Sequence, residues 1–201
     1  MPIRTPLCFV AIGASGGEGL DDIRNLLAAL PHATPAVVMV VLHRPSDKVS
    51  ALREVLARSA NMPVVVATEA EKFEVGVCYI GEPAGHLTLM AGNTAGLVHG
   101  ENHRLRNRTI DTLFKSLARH AERRAIGIIL SGSLDDGSRG LAAIHAAGGL
   151  TMVLDPKRKP RGMQQNAIDF DGAISFIGTG LEIAATIEAV LTGDNKWRRT
   201  S

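Results

Sequence analysis

The sequence predicts an α/β fold: a mostly parallel sheet wound with crossover helices and carrying an inserted antiparallel hairpin. Three observations lead there. Short apolar runs such as "CFVAIG", "AVVMVVL" and "AIGIILS" have the continuous hydrophobicity of buried strands. Between them lie stretches with apolar residues at helical spacing, the alternation that βαβ units leave in a sequence. One region, 63–100, breaks the pattern with short alternating runs separated by Gly and Asn turns.

Each element follows in order. Residues 8–13 are the first strand, and 19–30 a helix with Leu20, Ile23, Leu26, Leu27 and Leu30 at helical spacing. Residues 36–42 are a second buried strand. The next helix is 47–59, with Val49, Leu52, Val55 and Leu56 inward. In the changed region, "PVVVA" and "VCYIG" are short apolar runs, and "HLTLMAGNTAGLVHG" over 86–100 reads as a hairpin. It is taken as an insertion in the sheet, not a separate domain. A helix over 109–120, a buried strand over 125–131, a helix over 137–147 and a strand over 150–155 continue the pattern. "PKRKPRG", 156–162, is a basic loop; a late strand over 173–178 and a helix over 181–191 close the unit. Residues 1–193 are therefore expected to be one domain, and 194–201 a polar tail.

Composition excludes more than it selects. A chain of 201 residues is large enough to bury a sizeable core. Its 45% hydrophobic and 21% charged residues are ordinary for a globular protein. A net charge of +2 and 3% aromatic residues give nucleic acid neither an electrostatic footprint nor a stacking platform. The longest apolar run, 35–42, is too short to cross a bilayer. "MPIRTPLC" lacks the apolar stretch of a signal peptide, so a cytoplasmic setting is the expectation. Cys8 and Cys78 sit in apolar segments and read as buried thiols; no metal-ligand spacing joins them.

The stretch "FVAIGASGGEGL" carries the chemistry. A dinucleotide fingerprint needs a glycine where Ser15 stands, and no Gly-Lys-Ser or Gly-Lys-Thr follows to make a Walker loop. What fits is G-x-S-x-G, Gly13 to Gly17, in which glycines relieve crowding around a strained serine between strand and helix. The plain alternative is a tight turn with an incidental serine. A nucleophile needs a base, and the base an orienting acid. In an open parallel sheet such groups gather beyond the carboxyl ends of the strands. Of the seven histidines only His43 directly ends a buried strand. The strand "AIGIILS" runs into "GSLDDGSRG", which offers Asp135 and Asp136 at the matching end. Asp136, before Gly137, can aim its carboxylate across the strand tips, whereas the ordinary reading of such an aspartate is a helix N-cap. Three such residues at the tips of one sheet point to a Ser15–His43–Asp136 relay. Asp135 is left to cap the following helix or face solvent.

These residues also resemble a known family, the catalytic domain of chemotaxis protein-glutamate methylesterases of the CheB type. "AIGASGG" looks like its nucleophile motif, "VVLHRP" its histidine motif, "GIILSGSLDDGSRGL" its aspartate motif and "RGMQQNAI" its late Gly-Met loop. "TIDTLFKSLA" is similar to the helix before the aspartate strand. The resemblance implies a doubly wound sheet with helices on both faces. It also implies hydrolysis of glutamate methyl esters on chemoreceptor helices and, in many members, deamidation of receptor glutamines. Carried over, Ser15 is the nucleophile, His43 the base and Asp136 the acid, with Gly16, Gly17, Ser133 and Met163 shaping the oxyanion and substrate site. No metal or cofactor is implied, and no nucleic-acid partner or membrane insertion.

The chain departs from the family in places. Gly16 stands where Thr or Ala is common, Ser133 where Met is common, and Gln164-Gln165 where a Met-Pro is usual. With seven residues before the first strand, no receiver domain is expected, as in the stand-alone branch of these esterases. The basic loop reads either as a solvated turn or as a rim whose Lys157, Arg158, Lys159 and Arg161 steer acidic receptor helices. Two other functions compete with the esterase: an inactive module that docks on receptor helices, and an esterase or amidase with a substrate outside chemotaxis.

Overall fold

The computed structural model describes residues 7–43, 51–81, 85–99, 108–133, 135–157, 162–170 and 174–193. In chain order the elements are β1 (Cys8–Ser15), α1 (Gly16–Ala29), β2 (Ala36–His43), α2 (Leu52–Ala57), β3 (Val64–Val66), β4 (Cys78–Ile80), β5 (Gly85–Met90) and β6 (Thr94–His99). There follow α3 (Thr109–His120), a 3-10 turn (Glu122–Arg124), β7 (Ala125–Ile129), α4 (Ser138–Ala146), β8 (Leu150–Leu154), α5 (Met163–Asp169), β9 (Phe176–Gly178) and α6 (Gly180–Thr192).

Seven strands form one sheet in the order β3-β4-β2-β1-β7-β8-β9. Every neighbouring pair in it is parallel. Side chains alternate along each strand, so each face gathers its own core. Val10, Ile12 and Ala14 of β1 pack under α1, α2 and α6 with Ile23, Leu27, Leu56, Ile183 and Ile187. Phe9 and Ala11 face the other way, under α3, α4 and α5 with Leu113, Phe114, Leu141 and Met163. The sheet is therefore doubly wound, as the resemblance implies. Chain order reverses around β1: β2 lies on one side and β7 on the other. Between them is the switch point where open α/β sheets place their sites.

Four features differ from expectation. The hairpin β5–β6 is real, but it forms a separate two-stranded sheet and does not join the main one. Leu87 and Leu89 are buried in the core of α3, and the N–H of Leu89 donates to Ser116 Oγ at 2.9 Å, so α3 holds the hairpin. Helix α1 starts at Gly16, before its apolar pattern, because its first turn is exposed and carries no apolar signal. Helix α5 stands where a Gly-Met loop is expected; with seven residues, it is too short for periodicity to show. Helix α2 covers only Leu52–Ala57 of the expected 47–59, and residues 44–50 lie outside the described part. So do most of the basic loop (158–161) and the polar tail. Cys78 is buried as expected, whereas Cys8 is only partly so. Among the described residues, no helix is long and apolar enough to cross a membrane.

Candidate active site

Ser15 is the last residue of β1 and His43 the last of β2, and the two are register partners. Neighbouring strands run about 4.8 Å apart, so their Cα atoms are separated by roughly that spacing. Both positions continue the odd-numbered face of their strands, which carries Phe9 and Ala11 in β1 and Val37 and Met39 in β2. The α3–α4 side is therefore where their side chains emerge. Both residues are half-buried.

Ser15 occupies the N-cap position of α1 in an ordinary extended conformation, φ −140° and ψ 140°. The expected strained serine is thus corrected: the left-handed backbone falls on Gly16, at φ +72°. A glycine there lets the chain turn without straining Ser15. The Ser15 hydroxyl makes no capping hydrogen bond to the helix. Gly16 and Gly17 are exposed, and a Cβ on either would meet nothing within 4 Å. The first turn of any helix has N–H groups without intrahelical acceptors, and here that turn faces open space.

Asp136, after β7, is 2% exposed. Its Oδ2 accepts from the N–H of Ile110 and its Oδ1 from that of Asp111, each at 2.9 Å. These are first-turn donors of α3, so Asp136 does cap a helix, although not the one that follows it. Burial pushes its carboxyl up, and the two N–H groups oppose the rise. The neighbouring Asp111 carboxylate adds to the rise, and His43 opposes it. His43 therefore lies within electrostatic reach of Asp136. Each carboxylate oxygen has two lone pairs, so one N–H on each leaves acceptor capacity for an imidazole. Asp135 is exposed and does not cap α4, whose N-cap residue, Gly137, has no side-chain bond.

The loop after β7 is pinned against Ser15 from three elements. Ser131 accepts the N–H of Ser15 at its carbonyl, 3.0 Å. Its own N–H donates to Asp22 Oδ2 of α1 at 3.2 Å, and its Oγ accepts from Gln164 Nε2 of α5 at 3.1 Å. A Cβ on Gly132 would collide with Met163 Sδ and lie 2.8 Å from Ser15 Cβ. The fully buried Met163 takes up that space, which is free for it only because residue 132 is glycine. Ser133 is different. It is exposed, and no described contact brings it to Ser15.

Sequence reasoning missed Asp22, Asp111, Ser131, Gln164 and His86 as parts of this region. His86 on β5 has its imidazole held below the ordinary value, first by burial, then by His99 and His43. The hairpin therefore brings His86 within electrostatic reach of His43. Asp111 carried one signal, an acidic residue in the first turn of a helix, which ordinarily means only a favourable dipole contact. In the basic loop, Lys157 Nζ lies 2.8 Å from Asp155 Oδ2; that pairing lowers the carboxyl and raises the ammonium. Arg158, Lys159 and Arg161 lie outside the described residues. Among the described residues no cluster of three His, Cys, Asp or Glu can hold a metal ion.

Residues 10–187 match the family model described as CheB methylesterase. A protein-glutamate methylesterase/protein-glutamine glutaminase of Pectobacterium atrosepticum is 34% identical over 156 residues, 76% of this chain and 44% of that protein. One from Salmonella typhimurium is 33% identical over 180 residues, 88% of this chain and 51% of the relative. The chain thus spans about half the length of the curated relatives it matches. The crystal structure of the Thermotoga maritima CheB methylesterase catalytic domain superposes with a TM-score of 0.82 at 24% identity, over 92% of this chain and all of that one. It shares this fold. By the family model and these relatives, the chain belongs to the CheB methylesterase family.

Proposed function

We propose that this chain is a serine hydrolase that removes methyl esters from glutamate side chains of chemoreceptors, with Ser15 as nucleophile, His43 as base and Asp136 as orienting acid. The observation that carries the reading is the pairing of Ser15 with His43 at the ends of adjacent parallel strands, with Asp136 in electrostatic reach of the histidine. The names of the relatives supply the substrate class.

In the first step His43 takes the hydroxyl proton as Ser15 Oγ attacks the ester carbonyl carbon. Asp136 holds the imidazole in the tautomer that accepts this proton and stabilises the imidazolium. The carbonyl oxygen becomes an oxyanion, which the N–H groups of Gly16 and Gly17 at the start of α1 receive. Collapse of the tetrahedral intermediate expels methoxide, which takes the proton from His43 and leaves as methanol. Water, deprotonated by His43, then attacks the acyl-enzyme and releases the glutamate carboxylate and Ser15. With a glutamine side chain the same steps expel ammonia, the second activity in the relatives' name. Met163 walls the site from below. The partner is a methylated receptor helix on the cytoplasmic side of the membrane.

Ser15→Ala is expected to lower methanol release from a methylated receptor fragment by roughly 10⁴-fold or more, with an unchanged melting temperature. Near-normal turnover by that variant would remove Ser15 as nucleophile. Labelling of Ser15 by a fluorophosphonate separates a working esterase from an inactive docking module. Comparing the receptor fragment with small esters separates a receptor enzyme from a general esterase.

A further inference from the structure

Helices α3 and α4 exchange carboxylates. Asp136, two residues before α4, caps the first turn of α3 through Ile110 and Asp111. Asp111, in the first turn of α3, returns the contact: its Oδ1 accepts the N–H of Gly137 at 3.1 Å and of Gly140 at 2.7 Å, at the start of α4. Both aspartates are 2% exposed. Because Asp111 donates its N–H to Asp136 and accepts from the residue next to Asp136, the two side chains close a ring across the helix ends. The packing there is tight. A Cβ on Gly137 would stand 2.8 Å from Ile110 Cγ2, and one on Gly140 3.2 Å from the Cα of Asp111.

We propose that Asp111 is a positioning residue for catalysis: by clamping the start of α4 it fixes the backbone beside Asp136, and hence the direction in which Asp136 meets His43. This rests on the triad reading above. The arrangement is a poor one on stability grounds alone. Two buried carboxylates within reach of each other repel, and α3 could be capped from its own N-cap residue, as Thr179 caps α6. Neither N-cap residue here, Arg108 for α3 or Gly137 for α4, makes a side-chain capping bond. The capping is delegated across the pair, and one member of the pair is the acid of the relay. The charged groups facing Asp136 are Asp111 from α3 and His43 from β2, with Arg108 Nη1 3.9 Å from Asp111 Oδ2 behind.

Two variants test this. Asp111→Ala removes the acceptor, and Asp111→Asn keeps an oxygen for Gly137 and Gly140 while removing the charge. Methanol release from a small glutamate methyl ester is measured across pH for both, beside Ser15→Ala and Asp136→Asn. Asp111→Ala is expected to lower kcat about 100-fold with KM little changed, the scale of a misplaced catalytic group. Asp111→Asn should recover most of that loss. Normal kcat in both Asp111 variants, with Ser15→Ala and Asp136→Asn inactive, would overturn the positioning role and leave the triad standing. Equal loss in both variants, matched by equal loss of melting temperature, would also overturn it, by making the role structural. Activity in Ser15→Ala or Asp136→Asn would remove the triad itself, whatever Asp111 does.

Discussion

Asp136 has both carboxylate oxygens bonded to backbone N–H groups and is shielded from water, whereas Asp135, one peptide away, is exposed. His43 acts electrostatically on Asp136, opposing the rise that burial causes. Asp136→Asn is expected to cost about 10⁴-fold in kcat by presenting the wrong tautomer, and Asp135→Asn less than tenfold. Steady-state rates of the two variants decide it; the reverse ranking would exchange their roles. Ser15 and His43 were legible as candidates because each ends a strand, a position that periodicity locates, and Asp136 because its loop follows a third strand. The partners of Ser131 were not legible. Asp22 and Gln164 come from helices on opposite faces of the sheet, and only the folded chain brings both to one residue. Gln164 is 3% exposed, and its Oε1 has no hydrogen-bond partner. An unpaired buried carbonyl costs about 1–3 kcal/mol, which offsets the bond its Nε2 makes to Ser131. Gln164→Met should therefore change stability by less than about 1 kcal/mol in a denaturant titration; a larger loss would show that the Ser131 bond dominates.

At the scale of elements, the long apolar strands β1, β2 and β7 and the helices α3 and α6 were readable because each buries a regular pattern over several residues. The hairpin was readable from its turn residues. Its detachment from the sheet was not, since that depends on Leu87 and Leu89 finding α3 as a partner. The start of α1 was also hidden: a glycine-rich first turn facing open space leaves no hydrophobic trace. Close approach between elements is likewise invisible in a sequence, and Gly132 is the clearest instance. Gly132→Ala sets a methyl group 2.8 Å from Ser15 Cβ and into the Met163 sulfur. The methionine is flexible, but Ser15 Cβ is fixed to the end of β1. A stability loss of about 1–3 kcal/mol is expected from overpacking, together with a fall in kcat on the order of 100-fold. Thermal melts and turnover measured side by side check both; a fully active variant would show that the loop yields.

For the molecule as a whole, the two cores on opposite faces of one sheet should melt together, because β1, β2 and β7 contribute residues to both. Cys78 on β4 reports this directly. It is fully buried, and its thiol is pushed up to about 12 by that burial. Cys8, at the start of β1, is only partly covered. In native conditions a thiol reagent is expected to modify Cys8 first, and Cys78 only at the rate at which the sheet opens. Addition of denaturant should then raise the Cys78 rate in step with the loss of helical circular dichroism. Labelling of Cys78 well ahead of that loss would reveal a β3–β4 edge that opens by itself.

The order of strands also governs when the chain becomes competent. β1 finds β2 within a few dozen residues, so the pair bearing Ser15 and His43 can form early. Its other neighbour, β7, begins at Ala125, and the loop carrying Asp136 follows that strand. Pairings over such distances close slowly, because a long loop must be ordered before the contact is rewarded. During synthesis or refolding Ser15 and His43 therefore stand side by side while Asp136 is still unplaced. Hydrolytic competence should emerge only with the last long-range docking event, after most secondary structure has formed, so that half-folded chains carry an assembled but silent serine.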